Sequence, residues 1–136
     1  WDHHERLPEF IQASLDDLAR SLAAFYTDMG GGMQRITVVV HSEFGRRVGE
    51  NASQGADHGT AGLAYLIGGG VNGGQIVSDW PGLTPADLEQ GEDLKITTDL
   101  RTVLTEMLDK RLGGTDVSTV FPEFTGPTSA NLFLSN

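Results

Sequence analysis

Cysteine is absent from this 136-residue chain, which excludes disulfides and thiolate metal sites while leaving the cellular compartment open. Basic residues are scarce: nine Lys and Arg stand against nineteen Asp and Glu, a formal net charge of −10. Binding a polyanion needs clustered cations, so nucleic acid is excluded as a partner. No apolar run approaches the roughly 20 residues that a membrane span requires, so no span is expected. Histidine is also rare, numbering four. His3 and His4 follow Asp2, while His41 and His58 fall in one loop-rich stretch.

What remains is a composition of 38% hydrophobic and 21% charged residues, ordinary for a globular domain and enough for one core across residues 1–136. The surplus acid also suits a site that attracts a cation. Leu7, Ile11, Leu15, Leu18, Leu22, Phe25, Tyr26 and Met29 recur at steps of three and four, predicting an amphipathic helix over Leu7–Met29 that the triplet Gly30-Gly31-Gly32 stops. The β-branched run Ile36–Val40 reads as a buried strand, and Leu63–Ile67 as a second one parallel to it. Gln75–Val77 and Leu94–Thr97 read as short extended segments. Asp99 caps a second helix ending near Leu112, with Leu100, Val103, Leu104, Met107, Leu108 and Leu112 as its apolar stripe. The tail from Val117, with Pro122 and Pro127, reads as irregular. Helix, strand, loop, strand and helix imply an α/β layered domain with a partial sheet.

The chemistry gathers after the first strand, in His41-Ser42-Glu43-Phe44-Gly45-Arg46-Arg47 and Ala56-Asp57-His58-Gly59. Asp2 and His4 are two apart, so an extended backbone turns both to one face. Carboxylate and neutral imidazole are ligands suited to Zn²⁺ or Mn²⁺. Glu43 and His58 join them if their loops leave neighbouring strand ends. Asp2, His4, Glu43 and His58 are therefore the candidate metal ligands. Asp57 either adds a ligand or orients His58 through a hydrogen bond. Arg46 and Arg47 are candidates for holding a phosphate or sulfate oxygen. Ser42 precedes Glu43, so alternation turns its hydroxyl away from the site, and His41 reads as a strand-end residue.

Thr37-Val38-Val39-Val40, Ser42-Glu43-Phe44-Gly45-Arg46, Asp57-His58-Gly59, Gly68-Gly69-Gly70-Val71, Trp80-Pro81-Gly82-Leu83 and Thr98-Asp99-Leu100-Arg101 together resemble the carboxyl-terminal half of the DUF1501 family. That is an uncharacterised bacterial family of the alkaline phosphatase and sulfatase superfamily. Trp1-Asp2-His3-His4 resembles its Trp-Asp-Thr-His element, with His3 in place of Thr. The resemblance implies a three-layer α/β/α, alkaline-phosphatase-like fold and a divalent metal. It further implies hydrolysis of a small phosphate or sulfate ester and an exported location. Asp2 and His4 match the superfamily's Asp and His ligands, and His58 matches its later histidine. Glu43-Phe44 occupies the place of an Asp-His pair, and Phe44 cannot ligate a metal. The superfamily's nucleophile and amino-terminal Asp ligand match nothing here. The chain, which begins at Trp1, is therefore expected to be a piece that works with a missing upstream segment of the same protein. The alternative is a non-catalytic binding or structural component on the same fold.

Overall fold

The computed structural model describes residues 2–114 and 116–134. Trp1 lies outside that description, so the terminal motif is seen from Asp2 onward, and the tail is seen as far as Leu134. The chain is mixed α/β. Its helices are α1 (Leu7–Met29), α2 (Leu100–Leu112) and α3 (Val117–Val120), and its strands are β1 (Thr37–Val40), β2 (Gly45–Arg46), β3 (His58–Gly59) and β4 (Tyr65–Gly68). Two compact units emerge. One takes the stretch running to Gly32 with His41–Ala64 and Pro81–Ile96; the other takes Met33–Val40, Tyr65–Trp80 and the stretch from Thr97 onward. No helix among the described residues is long and apolar enough to cross a membrane.

In the first unit, α1 has the bounds that its periodicity predicts, with Gly30 as its C-cap. Leu7, Ile11, Leu18, Leu22 and Met29 form a half-buried line. No residue of α1 is fully buried, and Phe10, Leu15, Phe25 and Tyr26 are exposed. Its N-terminus has no side-chain cap. Backbone carbonyls of a loop serve instead: Ser53 O accepts from Arg6 N–H at 3.0 Å and Gln54 O from Leu7 N–H at 2.8 Å. Helix starts leave such donors unpaired, and here they tie the chain terminus to residues 53–54. β2 and β3 pair antiparallel, Gly45 opposite Gly59 and Arg46 opposite His58. Leu94–Thr97, expected as a strand, forms none; the neighbouring Asp93 makes isolated bridges to Arg47 and Glu89.

The second unit corrects the expected sheet. β1 and β4 pair antiparallel, from Thr37 opposite Gly68 to Val40 opposite Tyr65. A parallel pair needs a crossover, usually helical, and residues 41–64 between these strands contain no helix. Gln75–Val77 joins no strand, and Ile76 is 95% exposed. α2 starts as predicted, with Asp99 accepting from Arg101 N–H, and ends at Gly113 with φ 78°. The expected stripe is met in part, Val103 being buried and Leu104, Met107 and Leu108 half-buried, but Leu100 and Leu112 are exposed and the buried face also takes in Thr102, Thr105 and Glu106. The reason is the tail. Glu106, 1% exposed, accepts backbone N–H groups from Ala130, Leu132 and Phe133 at 2.6, 2.9 and 3.0 Å. Satisfying those donors makes a buried carboxylate tolerable and straps the tail, with its core residue Phe133, to α2.

Candidate metal centre

The candidate site lies wholly in the first unit, and backbone pairing assembles it. Residues 3–7 run along the 51–56 loop, with Ala56 N–H donating to His3 O at 3.1 Å in addition to the Ser53 and Gln54 pairings. The approach is close enough that a Cβ on Gly55 would sit 2.1 Å from the His4 carbonyl carbon. Only glycine fits there. Asp2 and His4 are thereby brought to the loop that carries Asp57 and His58. From the other side, β2 sets Arg46 opposite His58. Neighbours on a strand face opposite ways, so Arg47 leaves the site and pairs with Glu92 at 2.9 Å and Asp93 at 3.7 Å.

Among the described residues, one group offers three metal-binding side chains together. Ligand atoms of Asp2, His4 and His58 all lie within 4.8 Å of one another, each side chain about half exposed. Asp2 Oδ1 is the hub, 2.9 Å from His58 Nε2 and 3.2 Å from His4 Nε2, and it accepts from Arg46 Nη2. The two imidazoles lie 4.7 Å apart, and Phe44 stacks on His58 at 3.8 Å. Arg46 sits over the Phe44 ring at 5.0 Å and donates to Ala56 O at 2.7 Å.

The His4 ring lies between two carboxylates, Nδ1 facing Asp57 Oδ1 at 3.0 Å and Nε2 facing Asp2 Oδ1 at 3.2 Å. An ionised carboxylate only accepts, so a neutral ring donates to one of them; a hydrogen on Nδ1 satisfies the Asp57 contact. In the neutral ring, Nε2 then presents a lone pair to Asp2 Oδ1. Two acceptors at 3.2 Å require a proton or a cation between them. The Asp2 carboxyl is held below its ordinary value, first by the Arg46 hydrogen bond and then by His58 and His4. Asp57 is lowered too, chiefly by the Asn51 amide and then by His4. Both acids are therefore anionic at neutral pH and offer lone pairs.

The donor set fits a divalent ion. Ligands of tetrahedral zinc at 2.0–2.2 Å lie roughly 3.4 Å from one another, close to the 2.9 and 3.2 Å found around Asp2.

Of the residues singled out from sequence, Asp2, His4, His58, Asp57 and Arg46 come together. Glu43 is exposed and outside the group; Phe44, one residue on, is the side chain that reaches His58. Asp57, expected either to add a ligand or to orient His58, is outside the three-residue group and holds His4. His3 turns to Ser14 and Phe10, and His41 Nδ1 stays on the Ser42 carbonyl. Ser42 Oγ donates to Phe44 O at 2.6 Å. Sequence reasoning missed Asn51 and the stacking role of Phe44. The signal for Asn51 was there: an Asn two residues before Ser53 and four before Gly55 is an Asx-turn pattern.

A family model described as "Protein of unknown function (DUF1501)" matches residues 1–124. No curated protein and no solved structure matches the chain.

Proposed function

We propose, from the premise that this chain belongs to the DUF1501 family, that it is the metal-holding carboxyl-terminal part of an alkaline-phosphatase-like hydrolase of phosphate or sulfate esters. One observation carries the reading: Asp2 and His4, at one end of the sequence given, and His58, more than fifty residues on, bring a carboxylate and two imidazole nitrogens within 4.8 Å of one another. In that role these residues hold Zn²⁺ or Mn²⁺, and Arg46 supplies a guanidinium for an anionic ester oxygen. A bound divalent ion offers Lewis-acid stabilisation of charge on such an oxygen. The three-layer arrangement belongs to the same proposal, with an upstream segment supplying the nucleophile and the remaining ligands.

A second reading, a non-catalytic component of a larger assembly, is favoured by the contacts of Asp2. Its Oδ1 already receives Arg46 and His58, so the network is partnered without an ion. Calorimetric titration with Zn²⁺ and Mn²⁺ separates the two. The metal reading expects one ion bound, with affinity falling at least about tenfold in Asp2→Asn, His4→Ala and His58→Ala and holding in Glu43→Ala. No binding by the unaltered protein, together with a lowered unfolding midpoint in Asp2→Asn, establishes the second reading.

A further inference from the structure

The 51–57 loop has an organising residue that metal-ligand chemistry alone does not single out. Asn51 uses every hydrogen-bonding group of its side chain. Oδ1 accepts the backbone N–H of Ser53 and of Gly55, both at 2.9 Å. Nδ2 donates to His4 O at 2.8 Å and to Asp57 Oδ1 at 2.9 Å. The amide thus has two faces with two tasks. Its oxygen folds the loop around itself. Its nitrogen reaches out of the loop to the backbone of His4 and to the carboxylate facing the His4 ring.

We infer that Asn51 is a positioning residue: its Nδ2 fixes Asp57 and the His4 backbone together, so that His4 Nδ1 carries the proton and Nε2 is aimed at Asp2. The proposal rests on the metal reading above for its purpose, not for its geometry. Asp57 without Asn51 can rotate about its χ angles. His4 is half exposed and would then be held by Asp57 in no single orientation. Nδ2 bridges the two, because it touches the main chain of one and the side chain of the other. An acceptor in its place faces two acceptors and drives them apart. Groups that orient a metal-bound imidazole through its second nitrogen change metal affinity by roughly 10–100-fold when removed.

Asn51→Asp keeps the Oδ1 acceptor that folds the loop and replaces the donor with a second carboxylate oxygen, which adds negative charge beside Asp57. Asn51→Ala removes both tasks and serves as the comparison for loop folding. Two readouts are taken. The first is the ¹⁵N shifts of the His4 ring without metal at one neutral pH, which report which ring nitrogen holds the proton. The second is Zn²⁺ affinity by calorimetry. In Asn51→Asp the His4 shifts should move from the Nδ1–H form toward the Nε2–H form, and Zn²⁺ affinity should fall about 10–100-fold. The same shift change in a protein that binds no Zn²⁺ keeps Asn51 as the positioning residue and removes the metal reading. His4 shifts in Asn51→Asp that match the unaltered protein overturn the proposal, whatever happens to affinity. So does a shift change confined to Asn51→Ala, which marks Asn51 as a loop brace only.

Discussion

Two carboxylates in this chain, one buried and one exposed, serve opposite ends. Glu106 is spent entirely on backbone N–H groups of the tail. Asp2 is spent on the Arg46 guanidinium and the His58 ring. Replacing Glu106 by Gln turns one oxygen into a donor facing another donor, at Ala130 or at the Leu132–Phe133 pair. Leaving a buried donor unpaired costs about 1–3 kcal/mol. Glu106→Gln should therefore lower stability in urea denaturation by about that amount, and Glu106→Ala by more. A Glu106→Gln midpoint equal to that of the unaltered protein would falsify the strap. At the candidate site, His58→Ala removes both a proposed ligand and the ring on which Phe44 stacks. Zn²⁺ affinity should drop at least about tenfold, whereas His41→Ala, whose ring nitrogen stays on a local carbonyl, should leave it in place. Calorimetry with the two variants side by side distinguishes them.

Helix α2 shows what one element needs at its ends. Asp99 accepts the N–H of Arg101 at 2.8 Å and pairs with its guanidinium. The hydrogen bond from Arg101 holds the Asp99 carboxyl below its ordinary value. A folded-state value below the unfolded one means that the stabilisation is complete above the unfolded value, about 3.9. It is lost as pH falls through the folded one. Thermal scans should show a midpoint that falls more steeply below about pH 4 in the unaltered protein than in Asp99→Asn. Asn also caps well but does not titrate. Asp99→Ala should cost about 0.5–2 kcal/mol at neutral pH, where the cap is lost altogether. A midpoint that runs parallel in Asp99→Asn across the acid range would remove the cap from this account. The start and stop of both long helices, and the acid cap of α2, were legible in sequence because they are local: a period, an acid, a glycine. The buried face of α2 was legible at Val103 but not at Thr102, Thr105 or Glu106. Leucines at helical spacing suggest a core stripe, but which face is covered depends on what packs against it, and here Glu106 draws the tail to its own side.

For the whole molecule, ligand linkage gives the sharpest expectation. An ion held only by the folded first unit stabilises it by about 2.7 kcal/mol when present at a hundred times its dissociation constant. Added Zn²⁺ should raise the unfolding midpoint of the unit carrying the site, and a chelator should reverse the gain. No shift at saturating Zn²⁺ removes the ion from the account. Ester hydrolysis by these 136 residues alone is not expected. The hydroxyl within the motif stretch, Ser42, is committed to the Phe44 carbonyl, and covalent catalysis needs an activated nucleophile. Assays with phosphate and sulfate monoesters under added Zn²⁺ should show no turnover. Turnover that disappears in Ser42→Ala reverses that conclusion.

By itself the sequence determined the kinds of chemistry open to the protein: no thiolate, few cations, and imidazole and carboxylate concentrated in two short motifs. It also determined the long helices, because their signals lie within a few residues of one another. Only the tertiary structure decided strand direction, since the β-branched runs at β1 and β4 read the same in either orientation and only their pairing tells which occurs. It likewise decided the membership of the site. Glu43 and Arg47 carry suitable groups, but the two-residue alternation of an extended backbone sends their neighbours Phe44 and Arg46 to His58 and Asp2 instead. Asp57 and Asn51 reach His4 because the chain terminus is hydrogen-bonded along the 51–56 loop. Such contacts span about fifty residues, and no local pattern encodes them.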